Sequence, residues 1–491
     1  MTNKACAKQG RRSLSQPFTQ RFLSGLTLAL ILGGCSMAPT YERPDAPVAA
    51  EFPATTEYQS SKKAVDIGWR EFFKDARLQA LIAAALENNR DLKIAVLRIE
   101  EARSLYNIQW ADRFPNLNAV ATGSRGRTPA AFSTTDPQAT FVGSRYDVGI
   151  SLASFELDFF GRVKSLIDVA LATDLATEEA QRSVQISLVA EVAKAYLAER
   201  AFAEQLDLAQ KSFKAREESI KLAKVRFDVG ATSALDLAQY ESLLQSAKVA
   251  MVTLARQRAQ AENALSVLVG KQQLKLPAAQ LLSAQGILND IPAGLPSELL
   301  VNRPDLRQAE QKLVAANASI GAARAAFFPR ISLTAGYGTA SPALSGLFDS
   351  GSGAWSFAPQ IALPIFDAGR NINNLDLSWT RKHIAVAEYE KAIQVAFREV
   401  ADALVARDLL NQQVDAQWAV MVAEAERLKL SDARYQNGIS SSLDVLDTQR
   451  QLFAAEQSLV QARLLRLTNA IDLYRSLGGG LQPTISSTQN K

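Results

Sequence analysis

The sequence has very little of the side-chain chemistry that enzymes and metal proteins use. Among its 491 residues there are only one histidine and two cysteines. Zinc sites are built from several thiolates and imidazoles, and His383 has no second histidine with which to share a metal. It lies within a long helical pattern, where a surface position is a simpler interpretation than a catalytic base. We therefore expect a protein that is not an enzyme and uses no cofactor and no metal.

The chain also lacks a true excess of positive charge. It has 54 Lys and Arg against 50 Asp and Glu, which gives a formal net charge of +4. Residues 1–34 contain five basic residues and no acidic one, so removing them changes the formal charge to −1. Nothing in the remaining chain would attract a polyanion. We expect no nucleic-acid partner.

The N-terminal 34 residues have the layout of a secretion signal. Basic residues precede an apolar run at 22–32 that is too short to span a bilayer as a helix. The run leads into Leu32-Gly33-Gly34-Cys35, which resembles a bacterial lipobox. Cys35 would then be the acylated first residue of the mature protein; a plain signal peptide with an incidental cysteine is the alternative. Ser36 replaces the aspartate that would favour inner-membrane retention, so we expect anchoring in outer-membrane lipid.

Self-comparison reveals a tandem duplication. Phe114-Pro115 recurs as Phe328-Pro329 at an offset of 214, and Gly161-Arg162 recurs as Gly369-Arg370 at an offset of 208. The offset of 208 also relates Gly230 to Gly438 and Gly270 to Gly478. We predict a first repeat at 69–272 and a second at 296–480, joined by a linker at 273–295. An extended acylated segment at 35–68 precedes them, and a tail at 481–491 follows.

Each repeat contains a predicted β-hairpin. Apolar and small or polar residues alternate in four segments, which we predict as strands at about 116–125, 144–158, 330–339 and 354–365. We expect Pro359 to lie at a bend or bulge. Period-two alternation is typical of a membrane barrel with a wet lumen, and it is equally typical of a half-buried soluble sheet. No other stretch is apolar enough for a transmembrane helix, so a membrane crossing would have to use these strands.

The rest of each repeat is predicted to be long helix. Apolar residues recur every three or four positions, and proline is absent from 162–276 and from 365–482. We expect chain reversals at Gly230 and Gly438, where glycine supplies the left-handed end of a helix. The predicted helices lie at about 78–112, 162–228, 233–269, 303–326, 370–436 and 441–477.

Four strands are too few to close a barrel, and open sheet edges cannot face lipid. If the strands lie in a membrane, several chains must share one barrel. Two chains would supply eight strands, whose side chains fill the interior, whereas three would supply twelve and leave a bore. The helical hairpins would then form a tube below the barrel. The pattern favours a conduit across the periplasm and outer membrane.

Several motifs resemble those of outer-membrane efflux channels of the TolC and OprM kind, in particular the NodT-like lipoprotein branch. They cover almost the whole chain that follows Cys35. The matching segments are Pro39-Thr-Tyr41-Glu-Arg43-Pro44, Asn302-Arg-Pro-Asp-Leu306, Leu363-Pro-Ile-Phe-Asp-Ala-Gly369-Arg370, Tyr435-Gln-Asn-Gly438, Leu443-Asp-Val-Leu-Asp447-Thr-Gln-Arg450 and Leu473-Tyr-Arg-Ser-Leu477-Gly-Gly-Gly480.

The resemblance implies a mainly helical homotrimer with a twelve-stranded β-barrel continuous with a periplasmic helical barrel. It implies docking to a periplasmic membrane-fusion adaptor and to an inner-membrane transporter of the RND class. The expected function is passive export of drugs or other toxic small molecules. Two alternatives stay open: the channel of a type I protein-secretion system, and a periplasmic coiled-coil scaffold lipoprotein without a pore.

The family closes its periplasmic end with inward-facing leucine and charged residues near the second helical turn. Matched by motif, these are Leu443, Asp447 and Arg450, and the resemblance implies that they form a gate. Their counterparts in the first repeat are Leu235, Gln239 and Ser242. The charged residues of the expected gate therefore occur only in the second repeat. The alternative is a solvated helix face. We expect the adaptor to dock at the hairpin tips, around Gly230, Asp236, Gly438 and Asp444.

Overall fold

The computed structural model describes residues 36–52, 63–129, 141–272, 274–288, 291–292 and 296–481. Cys35 lies outside the described residues, as do residues 130–140. Four strands and seven helices of more than ten residues are labelled in chain order: α1 Ala76–Asn88, α2 Arg90–Ala111, β1 Leu117–Thr128, β2 Phe141–Leu157, α3 Arg162–Asp228, α4 Ala234–Val269, α5 Pro304–Ala325, β3 Arg330–Ser341, β4 Gly353–Ala362, α6 Arg370–Gln436 and α7 Ser442–Ser476.

The chain divides into two compact units. The strand unit contains the described residues of 36–42, Leu105–Leu171 and Val314–His383. The helical unit contains the described residues of Arg43–Ser104, Ala172–Leu313 and 384–481. Short helices at Trp69–Phe72 and Pro296–Asn302 belong to the helical unit, as do two 3-10 turns at Ala64–Asp66 and Leu282–Ala284; a third turn at Leu344–Gly346 belongs to the strand unit. No helix among the described residues is both long enough and apolar enough to cross a bilayer.

The strand unit is built on one antiparallel sheet with the strand order β1-β2-β3-β4. The register between β2 and β3 shifts between Leu152 and Phe155, and Ser154 there adopts a positive φ of 50°. This β-bulge inserts one extra residue, so Phe155 stays on the same face as Leu152. A bulge at this position was not predicted. The sequence analysis expected a bend or bulge at Pro359 instead. Pro359 pairs with Leu333 in regular register in β4, an edge strand of this sheet where proline is tolerated.

The first predicted helix, 78–112, is wrong as a single element. Asn89 has an extended ψ of 133° and separates α1 from α2. Its side-chain oxygen accepts from the Leu92 N–H at 2.9 Å, and its amide donates to the Leu268 carbonyl at 2.8 Å. Asn89 therefore caps the N-terminus of α2. Its side chain is held in place by Leu268 of α4, which is 179 residues away in sequence.

The two repeats use glycine in the same packing contact. Gly270, after α4, has a φ of 72°, and Gly478, after α7, has a φ of 82°. A Cβ at Gly270 would lie 2.5 Å from the Asn88 carbonyl oxygen, and one at Gly478 would lie 2.9 Å from the Asn302 carbonyl oxygen. Each glycine is therefore required by both its backbone conformation and its close approach to a helix end.

Candidate channel wall, gate and hairpin tips

The two faces of the sheet differ in chemistry. One face carries the large apolar residues, and on it Ile150, Tyr337 and Trp355 are direct neighbours across β2, β3 and β4. Tyr337 is 77% exposed and Trp355 is 78% exposed. The opposite face carries small and polar residues, among them Ser151, Gly336 and Ser356. A sheet with one exposed aromatic face and one small, polar face has the pattern of a wall between lipid and water.

Both hairpin tips have the same construction. Gly230 and Gly438 follow α3 and α6 with φ values of 73° and 72°, and a Cβ at either glycine would meet nothing within 4 Å. The backbone conformation, and not crowding, therefore requires glycine at both tips. The next helices, α4 and α7, then begin with capping boxes.

Asp236 and Asp444 complete these capping boxes. Asp236 accepts from the Ser233 N–H at 3.2 Å, and its own N–H donates to the Ser233 hydroxyl at 3.1 Å. Asp444 and Ser441 repeat the arrangement. The hydrogen bonds from Ser233 and Thr232 hold the pKa of Asp236 below its ordinary value. Both carboxylates, predicted as docking residues, thus have a structural role that sequence reasoning missed, although the Ser-x-x-Asp spacing signals it.

The predicted gate residues lie together on the first three turns of α7. Leu443 is 54% exposed, although it is apolar. Asp447 accepts from Arg450 at 2.6 Å and from Arg427 of α6 at 3.4 Å. The sequence predicted Asp447 with Arg450, but it missed Arg427 because that contact joins two helices. Within one chain this is a surface ion pair, which stabilises by only about 0–1 kcal/mol.

A polar contact between α3 and α6 joins the two hairpin tips to each other. The Arg226 guanidinium, at the end of α3, donates to the Tyr435 hydroxyl and lies 5.6 Å from the centre of its ring. Tyr240 of α4 lies beside Tyr435, and burial raises its pKa. No sequence signal pointed to this contact, because Arg226 and Tyr435 belong to different repeats.

In the helical unit, Arg303 of the Asn-Arg-Pro-Asp motif forms a buried ion cluster with Asp305 and Glu399. Arg303 is only 6% exposed. It donates to Asp305 at 2.7 Å, to Glu399 at 2.9 Å and to the Ser476 carbonyl at 3.0 Å. Burial opposes ionisation of Asp305, but the bonds and charge of Arg303 outweigh it and lower the pKa of that carboxyl. The motif therefore joins the start of α5 to α6 and α7.

In the strand unit, the residues after Cys35 pack against α5. Asn317 donates to the Pro39 carbonyl at 2.7 Å, and Arg324 donates to the Met37 carbonyl at 3.2 Å. Gly321 lies between these two positions on α5, where a Cβ would come within 2.7 Å of the Ala38 nitrogen. The extended start of the chain is therefore held by backbone contacts that depend on glycine at 321.

Comparison with known proteins identifies the family. The family model for outer membrane efflux proteins matches residues 81–271 and again 295–479. The chain is 45% identical over 473 residues to the probable efflux pump outer membrane protein TtgC of Pseudomonas putida, covering 94% of this chain and 96% of that one. It is 47% identical over 463 residues to the outer membrane protein OprJ of Pseudomonas aeruginosa, covering 93% of this chain and 95% of that one.

A solved structure agrees with these matches. The open state of the MtrE outer membrane channel of Neisseria gonorrhoeae superposes with a TM-score of 0.83 at 43% identity, covering 91% of this chain and 99% of that one. The two matched regions of the family model also confirm the tandem duplication that self-comparison detected. The chain therefore belongs to the outer membrane efflux protein family.

Proposed function

We propose that this protein is the outer-membrane channel of a tripartite efflux pump and that it works as a homotrimer. The observation that carries the proposal is the four-stranded sheet with one exposed aromatic face. The β1 and β4 edges of one chain would have to pair with those of neighbouring chains before such a face could enter lipid. Three chains supply twelve strands and leave a bore, whereas two supply eight and leave none.

Native mass spectrometry of the full chain in detergent tests the oligomer. We expect the mass of three chains. A monomer or a dimer would contradict the proposed barrel, because neither supplies enough strands for a pore. A monomer would instead favour the alternative of a scaffold lipoprotein without a pore. The same preparation, reconstituted in a planar bilayer, should conduct ions.

The proposed partners are a periplasmic membrane-fusion adaptor at the hairpin tips and an inner-membrane RND transporter. The channel itself is proposed to be passive, with small toxic molecules passing from the periplasm or the transporter to the exterior. Copurification from crosslinked cells tests this assignment. Recovery of an adaptor with a proton-driven transporter supports efflux of small molecules, whereas recovery of an ATP-driven transporter for a protein substrate supports type I secretion.

The lipid anchor is proposed to be at Cys35. Its support is the lipobox-like sequence before Cys35 and the packing of residues 37–39 along α5, which would hold the acylated end in place. Incorporation of labelled palmitate tests the anchor. The label should be absent from Cys35→Ala, and labelling that persists in this variant would contradict the assignment.

The gate is proposed to be formed by Leu443, Asp447 and Arg450, repeated by the three-fold symmetry of the trimer. Rings of leucine and of paired charges narrow the bore, and opening then separates the hairpins. We expect Asp447→Ala and Arg450→Ala each to raise the single-channel conductance at least about twofold, because each removes one partner of the charged ring. Planar-bilayer recordings at low salt measure this change.

Asp432→Ala is the matched control for the gate variants. Asp432 is a partly exposed carboxylate of α6 that accepts from the Gln436 amide on its own helix. Its removal changes the charge of the hairpin as Asp447→Ala does, whereas Arg450→Ala changes it in the opposite direction, and we expect the conductance of Asp432→Ala to stay at the wild-type value. Equal conductance in all four channels would mean that Asp447 and Arg450 lie on a solvated helix face and do not form a gate.

A further inference from the structure

A cluster of basic and aromatic side chains lies in the strand unit, where α5 and α6 meet. The Arg324 guanidinium lies 5.4 Å from the centre of the Trp379 ring, and the Lys382 ammonium lies 5.3 Å from the same centre. Both distances are within the range of a cation–π contact. The exposed ring of His383 lies 6.3 Å from the indole. One tryptophan therefore brings two cations into a single cluster.

Neither cation is neutralised by an ion pair. Among the described residues of the strand unit, the ion pairs join Arg145 to Asp147, and Glu156 to both Arg162 and Arg330. The helical parts of this unit contain six basic residues, Arg162, Lys164, Arg324, Arg370, Arg381 and Lys382, and two acidic ones, Asp168 and Asp376. The described start of the chain, 36–41, carries no charge. The surroundings of the cluster are therefore positive, and they favour an anion.

Both cations have hydrogen-bond donors left for such an anion. The Arg324 guanidinium donates to the Met37 carbonyl at 3.2 Å, and this is its one hydrogen bond to the described residues. A guanidinium has five N–H donors, and its planar shape matches two oxygens of a phosphate. Lys382 makes no side-chain hydrogen bond to the described residues, and its flexible stem lets the ammonium approach the same phosphate.

The position of Arg324 brings the cluster close to lipid. Met37 follows Cys35 by two residues, so no more than about 7 Å of extended chain separates them. A diacylglyceryl group on Cys35 would hold that residue at the headgroup layer, and in this respect the inference rests on the proposed anchor. Arg324 also lies in the last turn of α5, shortly before β3 begins at Arg330. Tryptophan and basic side chains are typical of such a membrane–water interface.

We propose that Arg324, Lys382 and Trp379 bind the phosphate of an anionic phospholipid headgroup beside the acylated end of the chain. The two cations contact the phosphate, and the indole keeps them together. The ammonium of a zwitterionic headgroup would be repelled by both cations, so the site prefers a headgroup with net negative charge. A lipid bound here would fix the depth at which the acylated end meets the bilayer.

Native mass spectrometry of the full-length protein in detergent, titrated with dioleoylphosphatidylglycerol, tests the site. We expect saturable binding of one lipid per chain, with a dissociation constant at least about fivefold below that of dioleoylphosphatidylcholine. Arg324→Gln and Lys382→Gln should each raise the dissociation constant for phosphatidylglycerol at least about fivefold, equivalent to about 1 kcal/mol. Lys382→Gln leaves the Met37 contact in place. Inorganic phosphate should not displace the lipid, and displacement would contradict a lipid site.

Arg381→Gln is the matched control. Arg381 precedes Lys382 on α6, is exposed, and has no ring contact among the described residues. Its removal changes the charge by the same amount, and the dissociation constant should change less than about twofold, because exposed charges are screened. The thermal midpoint and the oligomer mass establish that each variant folds and assembles.

Two results would overturn the site: equal affinity of the wild type for phosphatidylglycerol and phosphatidylcholine, or an equal loss of affinity in Arg381→Gln and Lys382→Gln. Either result would leave the proposed channel untouched, because its conductance can be measured in a bilayer of phosphatidylcholine alone.

Discussion

Replacing Gly338 with valine is expected to reduce the assembled protein in the outer membrane at least about tenfold. Gly338 of β3 pairs with Gly149 of β2, and the two strands approach closely there. A Cβ at Gly338 would overlap the Val148 carbonyl oxygen, and one at Gly149 would lie 2.5 Å from the Tyr337 carbonyl oxygen. Because the obstructing atoms are backbone atoms, the strands would have to separate and lose ladder hydrogen bonds. Quantitative blotting of outer-membrane fractions measures the loss.

Gly126→Val provides the control for this strand variant. Gly126 lies in β1, and a Cβ there would meet nothing within 4 Å. Valine favours strands, so the assembled amount should stay near the wild-type level. An equal loss in both variants would mean that the sheet tolerates no β-branched residue in place of glycine. An unchanged amount in Gly338→Val would contradict the close approach of β2 and β3.

Replacing Arg303 with alanine is expected to lower the free energy of unfolding of the helical unit by about 3–5 kcal/mol. The variant would leave the carboxylates of Asp305 and Glu399 without their buried guanidinium partner, and the Ser476 carbonyl without its donor. Urea denaturation followed by circular dichroism measures the change. Arg398→Ala is the matched control, since Arg398 is exposed and its ion pair with Asp402 is 3.9 Å long. We expect that variant to lose less than about 1 kcal/mol.

The same cluster predicts a pH dependence of stability. The pKa of Asp305 is lower in the folded protein than its ordinary value, so ionised Asp305 stabilises the fold. This stabilisation is present above about pH 4, the ordinary carboxyl range, and is lost as pH falls through the lowered pKa. In Arg303→Ala the lowering interaction is gone, so the variant should lose less stability on acidification than the wild type. Equal acid sensitivity of the two proteins would contradict the assigned role.

Element types were predictable because the local patterns are strong. Alternation identified four strands, and three- or four-residue spacing with proline-free stretches identified the long helices. Boundaries were less predictable where a distant contact decides them. The break at Asn89 depends on the Leu268 carbonyl of another helix, and the bulge near Ser154 depends on pairing with β3. Neither partner can be identified from the residues that surround the break.

The residues of the candidate site also fall into two groups, those that could be located from the sequence and those that could not. Asp447 with Arg450, and Gly230 with Gly438, could be located because each lies in a motif of contiguous residues. Arg427 beside Asp447, Arg226 beside Tyr435, and Arg324 beside Trp379 were not predictable. These residues are 20 or more positions apart, and their proximity depends on how the long helices pack.

The amino-acid sequence by itself determined the duplication, the alternation that separates the two strand faces, and the glycines that reverse the chain. These properties follow from side-chain period and backbone sterics, which act over a few residues. Only the tertiary structure decided that Arg303 is buried against Glu399 and that β2 and β3 meet at paired glycines. Such contacts depend on distances and burial, which arise only when separate segments pack together.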